Sequence, residues 1–116
     1  MVTSFSGINL SSKDPQQLAL FYRDILGIPM FGENPGFDGV TFGNSPDTPV
    51  FWIWDENKWG TSSTGSVLLV FQCDDHDKTY AELCEKGVVL DPPETAVWGG
   101  KELHVTDPDG NRILIL

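Results

Sequence analysis

The chain is poor in cysteine, in positive charge and in long apolar runs, and each shortage excludes something. Its two cysteines, Cys73 and Cys84, are too few for a disulfide framework. Cys73 closes an apolar stretch and Cys84 falls on the apolar side of a predicted helix, so both are expected to be buried thiols. Seven Lys and Arg stand against 17 carboxylates, giving a formal charge of -10 spread along the chain. Polyanions are bound by cations that displace counterions, so nucleic acid is excluded as a partner and a cationic small molecule is favoured. No apolar run approaches the ~18 residues of a membrane span, and no basic-then-apolar leader is visible. The chain is therefore read as soluble and cytoplasmic, with no membrane partner.

What is present is a repetition. At 116 residues the length suits one domain, and Gly27 and Gly87, 60 positions apart, each end a segment of the same design. Asp14 and Asp75 suit N-caps, an amphipathic stretch follows each, and the two glycines suit the left-handed position past a helix end. Pro15 takes the first helical position, and Leu18, Phe21, Tyr22 and Ile25 recur at i, i+3, i+4, i+7. A second helix is predicted over about His76 to Lys86, with Tyr80, Leu83 and Cys84 on one side.

Strand-like segments surround both helices. In the first half they run from about Phe5 to Leu10, Ile28 to Phe31, Phe37 to Phe42 and Val50 to Trp54. In the second they run from Val67 to Phe71, Val88 to Leu90, Lys101 to Thr106 and Arg112 to Leu116, the last two flanking the turn Asp107-Pro108-Asp109-Gly110-Asn111. The reading is α+β: module one over about 1–57, a Gly/Ser/Thr-rich linker over about 58–65 that holds Trp59, and module two over about 66–116. Val67 to Phe71 and Ile113 to Leu116 are apolar at every position, so both sheet faces need cover; one helix per module supplies half, and an enclosed hollow or a partner chain the rest.

With Lys13-Asp14, Leu20-Phe21-Tyr22-Arg23-Asp24-Ile25-Leu26-Gly27, Trp98-Gly99-Gly100 and Asp107-Pro108-Asp109-Gly110-Asn111 in this order, the chain resembles the vicinal oxygen chelate superfamily over essentially its whole length. That superfamily includes glyoxalase I, bleomycin-resistance proteins, fosfomycin-resistance enzymes and extradiol dioxygenases. The resemblance implies two β-α-β-β-β modules forming a curled mixed sheet with a concave face, within a homodimer.

In catalytic relatives a metal sits on four side chains from the first and last strand of each module. Here those positions fall at Gly7, at Leu68 or Ser66, at Leu114 and around Phe51, Trp52 or Ile53, none of them a His, Glu or Gln. Metal ligation needs converging donor atoms, so no metal and no cofactor are expected. His76, at a helix start, is expected to be solvated and in a different layer from His104. By resemblance to the fosfomycin-resistance enzymes, His104 and Asn9 occupy cavity-lining positions. Trp52 and Trp54 are taken as the inward parity of their strand, and rings of this kind stack planar or cationic guests. The expected ligand-binding set is Asn9, Trp52, Trp54, Leu68, His104 and Leu114, with His104 the one candidate for acid–base chemistry. Gly99-Gly100 lacks the helix and the Lys of a phosphate loop, and Ser62-Ser63-Thr64 lacks a neighbouring base.

The leading expectation is a metal-independent binder of a small organic ligand, resembling bleomycin-resistance proteins. The alternatives are a lyase, isomerase or transferase working through His104, and a non-catalytic subunit or regulator.

Overall fold

The computed structural model describes residues 1, 3, 6–32, 34–62 and 68–116. The chain divides into two compact units, Met1–Thr64 and Gly65–Leu116.

The first unit begins with β1 (Ile8–Ser12) and turns into α1 (Pro15–Leu20). The Asp14 carboxylate accepts from the Gln17 N–H at 3.0 Å, and Pro15 fills the first turn, where its missing N–H costs nothing. The helix then widens through Phe21–Ile25, where the Leu26 N–H reaches back five residues to the Phe21 carbonyl at 3.1 Å. Leu18, Ala19, Phe21 and Tyr22 are buried, whereas Ile25 is only half-buried. The chain continues through β2 (Met30–Phe31), a single turn at Pro35–Phe37, β3 (Val40–Ser45), β4 (Thr48–Asp55) and the short α2 (Glu56–Trp59). The sheet order is β1-β4-β3-β2, with β1 parallel to β4 and the other pairs antiparallel.

The second unit repeats this plan. β5 (Leu68–Phe71) leads to α3 (His76–Glu85), capped by the Asp75 carboxylate on the Lys78 N–H at 3.0 Å. Then follow β6 (Glu94–Thr95), β7 (Lys101–Thr106) and β8 (Arg112–Ile115) in the order β5-β8-β7-β6, again with one parallel pair. Asp107 closes the β7–β8 turn. Its buried carboxylate accepts from the backbone N–H groups of Asp109 and Asn111 at 2.9 and 2.8 Å and from the Asn111 amide at 2.8 Å.

Three expectations are corrected. Val88 to Leu90 is not a strand: Val89 is fully exposed, and the sheet's second strand is β6, beyond Pro92-Pro93, which offer no N–H to a ladder. Cys84 is exposed, because Leu83 is the one residue of α3 that the structure buries, and Cys73 is half-buried. Tyr80 is half-buried beside Cys84, and the hydrogen bond between their side chains raises the Tyr80 phenol above its usual range. His76 is half-buried rather than solvated, with Nε2 enclosed and no hydrogen-bond partner among the described residues; nothing in the structure explains this. Phe5 and part of the expected linker lie outside the described residues.

Candidate functional site

Strand alternation gives each unit a helix-covered face and an uncovered one. In β4, Phe51 and Ile53 are fully buried on the α1 side, so Trp52 and Trp54 project from the opposite face, each half-buried. Parallel pairing sets Asn9 against Trp52 and Ser11 against Trp54. Three of the six expected ligand contacts, Asn9, Trp52 and Trp54, thus share one face of the first unit.

Hydrogen bonds fix this face. The Trp54 indole N–H donates to Asn9 Oδ1 at 3.1 Å, and its ring meets the Trp59 ring edge-on, centroids 6.1 Å apart at 82°. The Trp59 N–H is held by both oxygens of Asp38, at 3.2 and 3.0 Å. The Asp55 backbone N–H also donates to Asp38 Oδ1 at 2.8 Å, and with the Trp59 N–H it lowers the Asp38 carboxyl below the usual carboxylate range. Ser11 and Ser62 exchange three hydrogen bonds of 2.8 to 3.1 Å, which anchor the chain after α2 to β1. Together Asn9, Ser11, Trp54, Trp59 and the chain from Gly60 to Ser62 line an open groove of about 460 Å³. Ligand pockets start near 300 Å³, so a drug-sized planar molecule has room.

Gly7 has no side chain, and a Cβ built there would lie 2.6 Å from Trp52 Cζ3, so the indole takes the space a ligating side chain needs. Leu68 and Leu114 offer no donor atom, and Ser66, the alternative to Leu68, lies outside the described residues.

Leu68, His104 and Leu114 lie on the uncovered face of the second unit. Leu114 stands between Val70 on β5 and His104 on β7, while Leu68 pairs with Arg112. Leu68 and Val70 are 38% and 52% exposed, so the cover expected for the second face of β5 is lacking among the described residues. His104 Nε2 approaches Glu102 Oε1 at 3.3 Å and Glu94 Oε1 at 3.5 Å, and it borders a depression of about 420 Å³ that reaches Thr106 and Arg112. Both carboxylates escaped the sequence reading, as did the Asp38 anchor of Trp59. Glu102 was within reach, since residues two apart on a strand share a face, but Glu94 needs the β6–β7 register.

A family model described as Glyoxalase/Bleomycin resistance protein/Dioxygenase superfamily matches residues 4–115. The uncharacterized protein YraH of Bacillus subtilis (strain 168) is 32% identical over 119 aligned positions, covering 93% of each chain. Among solved structures, TnmS3, an antibiotic binding protein from Streptomyces sp. CB03234, is 28% identical with a TM-score of 0.72, covering 99% of this chain and 96% of its own. Lactoylglutathione lyase from Agrobacterium tumefaciens has a TM-score of 0.76 at 18% identity, covering 98% and 92%, a likeness that speaks for the fold alone. Two units with the same strand order and capped helices, matched from end to end by these relatives, leave one assignment: the chain belongs to the glyoxalase/bleomycin resistance protein/dioxygenase superfamily.

Proposed function

We propose that this protein binds a small organic ligand, planar or cationic, and needs no metal to do so. One observation carries the reading: two indoles pinned by Asn9 and Asp38 flank a groove of about 460 Å³. Rings held in this way lose little freedom when a guest stacks on them, so most of the contact energy is available for binding. The acidic charge of -10 favours a cationic guest, in rate of encounter above all. The full-length likeness to an antibiotic binding protein at 28% identity points the same way. Leu68, His104 and Leu114 are read as ligand contacts on the second unit, and the protein as a cytoplasmic homodimer; sedimentation giving only monomer at micromolar concentration removes the dimer.

The test is a titration of the purified protein with a panel of planar cationic compounds, followed by tryptophan fluorescence. A saturable response to at least one is expected. Silence from all of them at high micromolar concentration counts against the proposal.

The reading as a lyase, isomerase or transferase draws on the Glu102–His104 contact, since a carboxylate at 3.3 Å orients an imidazole for proton transfer. Turnover of any substrate that His104→Ala abolishes and Trp54→Ala spares would favour it.

A further inference from the structure

We propose that Glu94, Glu102 and His104 form a binding site for a first-row divalent metal ion, of the class of zinc, on the second unit. The site is made only of second-unit residues, none of which occupies one of the superfamily's metal positions.

The register sets it up. Glu94 on β6 faces Glu102 on β7 directly, and His104 follows two residues later on the same face. Two carboxylates opposed across a ladder repel each other, and a cation between them removes that penalty. The spacing suits an ion: ligands held at about 2.1 Å in a tetrahedral shell lie about 3.4 Å apart. His104 Nε2 is 3.3 Å from Glu102 Oε1 and 3.5 Å from Glu94 Oε1, and the three ligand atoms lie within 4.8 Å of one another. Imidazole nitrogen with two carboxylate oxygens is a donor set for zinc or manganese, and three protein ligands leave a position for water or substrate.

A supporting contact holds one ligand in place. The Trp98 indole N–H donates to Glu102 Oε2 at 3.0 Å, leaving Oε1 turned toward His104. The Trp98 ring lies against Gly100, and its hydrogen bond to Glu102 makes Trp98 a positioning residue. The nearby ammonium of Lys101 is engaged by Asp77 at 3.4 Å. Glu102 is mostly covered at 18% side-chain exposure, whereas His104 and Glu94, at 55% and 67%, leave an entry path open.

The experiment is calorimetric titration of the chelator-stripped full chain with zinc, alongside His104→Ala, Glu102→Gln, Glu94→Gln, Trp98→Phe and, as a control on α3, Glu85→Gln. One saturable site at micromolar concentration is expected. His104→Ala and Glu102→Gln should each weaken it at least about tenfold, Trp98→Phe less, and Glu85→Gln not at all, with far-UV circular dichroism unchanged throughout. Non-saturating uptake alone, or saturable binding that survives both His104→Ala and Glu102→Gln, overturns the proposal. Should either variant lose its fold, Glu94→Gln on the exposed edge strand decides in its place.

Discussion

The two units share strand order and helix caps yet are filled with different material. The first packs aromatic rings: Phe51 lies parallel to Phe42 with centroids 4.8 Å apart, and Tyr22 meets both at 62°. The second is aliphatic, built on Leu69, Leu83, Leu103, Val105, Ile113 and Ile115. Their uncovered faces differ as well. One carries Asn9, Trp52 and Trp54, the other Leu68, Val70 and Leu114 with His104 and its two carboxylates. Caps, turns and alternation recur in both units, while the side chains packed between them differ.

The largest test of this contrast is on the cores. Phe51→Ala should cost about 3–5 kcal/mol in chemical denaturation, since a ring and its stacking partners are lost, while Ile113→Val in the second unit should cost about 0.5–1.5 kcal/mol. A loss at Phe51 below about 1.5 kcal/mol would mean that the ring is not packed as described. Next are the turns and caps. Asp107→Ala strands three donors and should cost about 1–3 kcal/mol, against about 0.5–2 kcal/mol for Asp14→Ala at an exposed N-cap. Should Asp14 prove the costlier, the burial argument for the turn is wrong.

A third test separates the uncovered faces. Trp54→Ala should weaken an aromatic ligand about tenfold, or ~1.4 kcal/mol, and leave zinc binding untouched; a shared loss would mean that the two sites are not independent. The smallest effect is on pH. Asp38 has a folded pKa below its ordinary value, so the stability it lends is present above the unfolded value of about 3.9 and fades as pH falls through the lower folded value. Trp59 emission should therefore shift only below about pH 4, and Asp38→Asn should abolish that transition; a shift near neutrality would assign it to another group.

Much of the frame was legible because its signals are local. Asp14-Pro15, Asp75 and the Asp107 turn act over a few residues, and the structure uses each as its chemistry suggests. Val88 to Leu90 misled because β-propensity says nothing about the presence of a partner strand. Cys84 misled because apolar character was taken for burial on a helix that tucks in only Leu83. At the site, alternation was enough to set Asn9, Trp52 and Trp54 on one face. The Trp59–Asp38 contact spans 21 residues, and Glu94 meets Glu102 across the loop that holds Trp98, so both depend on register that no local pattern encodes.

The most direct measurement is tryptophan fluorescence of the chelator-treated wild-type protein during titration with planar cationic ligands, repeated on Trp54→Ala. Metal-free binding in the groove predicts a saturable change in the wild type that persists with chelator present and is weakened in the variant. A response that appears only when divalent metal is restored, or one that Trp54→Ala leaves intact, would contradict it.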